Sequence, residues 1–112
     1  MKHERLNAYR IMWLFVSFDL PVTTKTKRRR ATRFRKKLKK DGFTMMQYSV
    51  YTRHCASRQS MKVHIKRVKG FVPPEGHVTI FSITDKQYSN IINFWGKKSE
   101  PMEKPPPQLE MF

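Results

Sequence analysis

From Lys25 to Lys40 the chain carries eleven Lys and Arg in sixteen residues and no acid, and this run limits what it can fold into. Within it Ala31, Phe34 and Leu38 fall at i, i+3, i+7, the stripe of a helix that buries one narrow face and leaves the rest in solvent. Residues 24–41 are therefore expected to be a surface helix. Thr24 or Thr26 can cap its start, and Gly42 can stop its end. Lys36, Lys37, Lys39 and Lys40 suit the negative end of the helix dipole. Lys25, Lys27 and Arg28 crowd the positive end, where cations are disfavoured. The run has no acid spaced to form i,i+4 pairs with its cations. An external anion is expected to compensate, and a phosphate backbone would do so.

Such a helix needs a body to rest on. The 112 residues suffice for one domain with one core. The formal net charge of +16 makes the domain repel itself unless a polyanion screens it. Nucleic acid is the expected partner, because neutralising phosphates releases counterions without any need for base readout. An anionic membrane is the competing partner, but the chain has no long apolar span and no signal-peptide core, so no membrane association is expected. The single cysteine argues against a secreted disulfide scaffold and for a reducing, cytoplasmic compartment.

Residues 11–19, Ile-Met-Trp-Leu-Phe-Val-Ser-Phe-Asp, predict a strand. Its apolar residues are continuous rather than alternating, so both of its faces should be covered. Phe43 to His54 predicts a second, long strand, with Met46, Tyr48, Val50 and Thr52 on one face. Residues 58–69 predict a helix capped by Ser57, with Met61, Ile65 and Val68 inward. A third strand is expected at His77–Thr84, and Asp85-Lys86 should turn the chain. Tyr88–Trp95 fits a strand or a helix, and strand is preferred. The domain organisation expected is an N-terminal extension over 1–10, one domain over 11–96, and a Pro-rich linker with a terminal strand over 97–112. Leu109, Met111 and Phe112 make that terminus apolar, so it should pair with a sheet edge of its own or of a partner. The order β-α-β-α-β-β is close to a ferredoxin-like α+β sandwich, an antiparallel sheet with two helices on one face. Its second sheet face would be bare, and a second copy packed sheet against sheet is the simplest cover.

Asp19 ends the first strand and is the only acid between Glu4 and Asp41. It can cap the following helix or pair with Arg28 or Arg29. It can also bind Mg²⁺, which takes one or two carboxylates together with water and phosphate oxygens. Two copies of Asp19 meeting across a twofold axis would strengthen such a site, where a metal could polarise a phosphodiester and activate water. The adjacent His54 and Cys55 suit neither zinc-ligand spacing nor a Cys–His catalytic pair. His3, His64 and His77 form no ligand pattern. Tyr48, Tyr51, Phe94 and Trp95 are expected in a core or interface rather than as base-stacking platforms.

Four fragments in order carry a resemblance: Phe18-Asp19-Leu20-Pro21, Leu38…Asp41-Gly42-Phe43, Gln47…Ser49-Val50-Tyr51, and Gly76-His77-Val78 followed by Ile83-Thr84-Asp85-Lys86-Gln87-Tyr88. Over residues 11–96 the chain resembles the small CRISPR-associated protein two family, the ferredoxin-like subunit of the spacer-acquisition complex. The resemblance implies a homodimer with facing sheets. It implies that the dimer bridges dimers of the integrase subunit, CRISPR-associated protein one. It further implies binding of prespacer duplex DNA and support of its insertion at CRISPR repeat DNA. Asp19 falls on the family's Mg²⁺ ligand and catalytic position, so a metal-dependent endonuclease acting on RNA or DNA is implied, an activity that some members do not need for acquisition. The nucleic-acid contacts expected are Lys25, Lys27, Arg28, Arg29, Arg30, Arg33, Lys36, Lys37 and Lys40. The competing reading is a non-catalytic basic ferredoxin-like module that binds RNA or DNA.

Overall fold

The apolar run after Ile11 forms strand β1, Met12–Asp19, and it takes the inner position that its hydrophobicity demands. Helix α1 follows over Lys25–Lys40. Then come β2 (Thr44–Gln47), β3 (Val50–Cys55), helix α2 (Arg58–Phe71) and β4 (His77–Thr84). A short helix α3 (Asp85–Ser89) and a small hairpin, β5 (Asn93–Trp95) with β6 (Lys98–Glu100), complete the order. This computed structural model describes residues 11–103. The expectations placed on 1–10 and on Leu109, Met111 and Phe112 lie outside the described residues.

The main sheet runs β2-β3-β1-β4, with every neighbouring pair antiparallel. With α1 and α2 as crossovers, this is the βαββαβ ferredoxin-like arrangement. The expected order, β-α-β-α-β-β, is corrected in two places. The long strand expected from Phe43 to His54 is a hairpin that turns at Tyr48-Ser49. No Asn-Gly or Gly-Gly pair marks this turn, and among the described residues no non-glycine has positive φ, so it is not one of the mirror-image turns that sequence reveals. Tertiary contacts hold it instead: the Phe18 amide donates to the Ser49 carbonyl at 3.0 Å, and Arg35 Nε donates to the Tyr48 carbonyl at 3.4 Å. The second correction concerns Tyr88. It lies in α3 rather than in a strand, and the strand is confined to Asn93–Trp95. Lys98–Glu100, expected within a linker, pairs with that strand.

Alternation along β1 sorts the core into two layers. Met12, Leu14, Val16 and Phe18 face the helices and pack with Phe34, Leu38, Tyr51, Cys55 and Val68. Trp13 and Phe15 face the other way and pack with Tyr88. Tyr88 stacks on Trp13 at 3.6 Å with the rings 4° apart, while Trp13 Nε1 donates to Asp85 Oδ1 at 2.7 Å. The second sheet face is thus partly covered by the chain's own α3 segment. Phe81, Phe94 and Trp95 stay exposed around it.

Candidate nucleic-acid interface

Helix α1 forms because its first turn is capped and its apolar stripe is buried. Thr24 is the cap: its hydroxyl accepts from the Lys27 amide at 3.1 Å. Ala31, Phe34 and Leu38 are the buried residues, as the i, i+3, i+7 spacing predicts. The first turn holds no acid. Part of the missing compensation comes from Glu75, in the loop before β4, which pairs with Lys27 at 3.5 Å and Arg30 at 3.1 Å. Both pairs are partly exposed and screened by solvent, so each stabilises by about 1 kcal/mol at most.

The rest of the helix charge is turned outward. Lys25, Arg28, Arg29, Arg33, Lys36, Lys37 and Lys40 are all exposed, while Lys27 and Arg30 are half-buried. Five of these cations, Lys25, Arg28, Arg29, Arg33 and Lys36, share one open face of the helix with Thr32 between them. Their spacing of three and four residues places them on the face opposite Phe34 and Leu38. This face offers ammonium and guanidinium groups and one hydroxyl, which suits phosphate oxygens, and it presents no acid.

Asp19 is exposed at the open end of β1. It shares the odd-numbered face of the strand with Trp13, Phe15 and Ser17, so its side chain belongs to the sheet face away from α1. The basic helix and the carboxylate therefore occupy different layers, which sequence proximity does not reveal. His77 is the cross-strand partner of Asp19 on β4. Gly76, at φ +94°, lets that strand begin tightly against the Asp19–Pro21 segment; a Cβ there would stand 2.7 Å from the Asp19 carbonyl oxygen. The capping and pairing alternatives for Asp19 are not realised. Thr24 caps the helix, Arg28 donates to the Val22 carbonyl at 3.0 Å, and no cation among the described residues forms an ion pair with Asp19.

Among the described residues no group of three or more His, Cys, Asp and Glu gathers to hold a metal. Among the described residues Asp19 is thus a carboxylate with no clustered partner. That donor set fits Mg²⁺ held mainly by water and phosphate oxygens, and does not fit a protein-only cage.

A second charged cluster escaped the sequence reading. Asp41 caps the end of α1, and its carboxylate accepts from His64 Nδ1 at 2.7 Å and from Arg67 at 3.0 Å, both on α2. Arg53 on β3 donates to the Asp41 carbonyl at 2.9 Å. Gly42, at φ +89°, leaves room for that guanidinium. The cluster locks the two helices and β3 together and is structural. The signal for it in sequence was slight: a polar His64 on the inward side of an otherwise apolar stripe.

Burial also perturbs titratable groups within the core, among them His54, Cys55 and Tyr88. The His54 imidazole has neither ring nitrogen hydrogen-bonded and packs edge-on against Trp13, and burial lowers its pKa. Burial pushes the Cys55 thiol up, so it is not a reactive nucleophile. Tyr88 is pushed up to about 12 by burial, with Glu103 and Asp85 adding to the effect. Of the aromatics expected in a core or interface, Tyr51 is buried on the helix side, whereas Tyr48, Phe94 and Trp95 are exposed.

An all-antiparallel ferredoxin-like sheet with a cationic helix on one side and a strand-end carboxylate on the other defines a class of small α+β domain. Comparison with known proteins narrows that class. The profile of the CRISPR associated protein Cas2 family matches residues 12–91, so the chain belongs to the Cas2 family. It is 47% identical over 110 residues to the CRISPR-associated endoribonuclease Cas2 of Flavobacterium psychrophilum, covering 98% of this chain and 96% of that protein. It is 50% identical over 101 residues to the protein of the same name from Parvibaculum lavamentivorans, covering 90% of this chain and all of that one. A solved crystal structure of Cas2 shares the fold with a TM-score of 0.55 at 23% identity, covering 86% of this chain and 99% of the other. Among the described residues no helix is long and apolar enough to cross a membrane.

Proposed function

We propose that the protein is the nucleic-acid-binding subunit of CRISPR adaptation. In this reading a homodimer bridges integrase (CRISPR-associated protein one) dimers, binds prespacer duplex DNA through α1, and supports insertion at CRISPR repeat DNA. The observation that carries the nucleic-acid part is the acid-free outward face of α1 formed by Lys25, Arg28, Arg29, Arg33 and Lys36. Because these are backbone contacts, binding should be indifferent to base sequence and sensitive to salt. The exposed apolar residues Phe81, Phe94 and Trp95, on the side of the sheet opposite the helices, supply a surface for the second copy. The test is charge reversal. Arg29→Glu with Arg33→Glu is expected to weaken binding of mixed-sequence duplex DNA strongly at low salt, and unchanged binding would defeat the proposal.

A second reading is favoured by the exposed, unpaired Asp19 and by the endoribonuclease names of the relatives. Here two Asp19 carboxylates, brought together across the dimer's twofold axis, hold Mg²⁺ and serve hydrolysis of RNA or DNA phosphodiesters. The ion would supply polarisation of the phosphodiester and activation of water. The chain's own part is to hold the backbone on α1 and to present Asp19 from a rigid strand end. Purified Asp19→Ala protein is expected to lose Mg²⁺-dependent cleavage, and equal cleavage by both proteins would trace the activity to a contaminant.

A further inference from the structure

Tyr48 stands apart from the rest of the hairpin. It sits at the β2–β3 turn with 70% of its surface exposed, although its neighbours Val50 and Tyr51 pack inward. The ring is not loose. The Arg35 guanidinium lies 4.0 Å from its centroid, and the ring of Phe18 lies on Arg35 at 5.3 Å. Arg35 also donates through Nε to the Tyr48 carbonyl at 3.4 Å. The Arg35 guanidinium thus sits against two rings, Phe18 buried by the fold and Tyr48 largely open to solvent. A guanidinium behind the ring draws electron density from it, which favours an electron-rich aromatic on the open side. The turn also lies at the Asp19 end of the sheet, because the Phe18 amide donates to the Ser49 carbonyl at 3.0 Å.

We infer that Tyr48 is a stacking platform for an unpaired nucleobase, a purine above all, at a frayed or single-stranded end of nucleic acid held on α1. Base-on-aromatic stacking needs an exposed ring held in one orientation, and every base has a π-face to offer it. Bases inside a continuous duplex are already stacked on each other and cannot occupy the ring. The inference deepens the nucleic-acid reading above and rests on it.

The experiment uses the full chain and single-stranded oligonucleotides that carry 2-aminopurine, one set of RNA and one of DNA. Stacking on Tyr48 quenches the fluorescence of 2-aminopurine in the wild-type complex. Tyr48→Ala is expected to abolish the quench and to lower the ratio of single-strand to duplex affinity about tenfold. Tyr48→Trp is expected to keep both. The RNA and DNA arms show which sugar the platform accepts. A wild-type complex without quenching, or a Tyr48→Ala complex that quenches and discriminates as the wild type does, overturns the inference. Failure of the underlying reading looks different: the wild type and the Arg29→Glu/Arg33→Glu variant would then bind single strands equally.

Discussion

The two faces of the β2-β3-β1-β4 sheet are built from the same strands and do opposite things. On the helix side Leu14, Val16, Phe34, Leu38, Tyr51 and Val68 are almost wholly removed from water by the chain itself. On the other side the residues buried among those described are Trp13, Phe15, Thr52 and Tyr88, while Phe81, Phe94 and Trp95 remain in solvent. The helix face carries the free energy of folding. The open face stores unspent apolar surface, with Asp19 and His77 at its end. Variants on the helix face should therefore unfold the protein, and variants on the open face should change what it associates with.

The largest effect is expected from Phe34→Ala. It removes a buried ring that meets Phe18 edge-on at 5.1 Å and Phe71 at 5.6 Å. Urea titration should show a loss of about 3–5 kcal/mol. Next is Asp41→Ala, which leaves His64, whose side chain is only 9% exposed, without its carboxylate partner. A loss of about 1–3 kcal/mol in the same measurement is expected. The open face gives the smallest change. Phe81→Ser should shift the unfolding midpoint little, by roughly 0.5 kcal/mol or less, and should weaken self-association in sedimentation. Equal destabilisation by Phe34→Ala and Phe81→Ser would erase the contrast between the faces.

His54, packed against Trp13, sharpens the comparison through pH. Its folded-state pKa is lowered by burial, so the unfolded chain takes up the proton first. Its stabilising contribution is present above the ordinary histidine value of about 6.5 and is lost as pH falls below it. Thermal unfolding between pH 7.5 and pH 5 should show that decline, and His54→Leu should flatten it.

Much of this architecture was legible in the chain. The continuous apolar run of β1 announced a strand covered on both sides, and the Ala31, Phe34, Leu38 stripe fixed the buried face of α1. The Tyr48-Ser49 turn was not legible, because its geometry comes from Phe18 and Arg35 rather than from a local glycine or asparagine. The start of α3 was legible and missed: Thr84 and Gln87 form a capping box, the hydroxyl accepting from the Gln87 amide while the Gln87 side chain accepts from the Thr84 amide. For the interface, composition marked α1. It could not foretell that Asp19 would project from the opposite layer, since only the register of β1 assigns that side.

The most direct test of the account is the salt dependence of duplex binding. Each phosphate neutralised contributes about −0.9 to the slope of log affinity against log salt concentration. The wild type should give a slope steeper than about −4, the same for unrelated sequences, if all five cations on the outward face of α1 engage. The Arg29→Glu/Arg33→Glu variant should be shallower by about 2. A slope near zero, or one that the two substitutions leave untouched, would contradict the claim that α1 grips the nucleic-acid backbone.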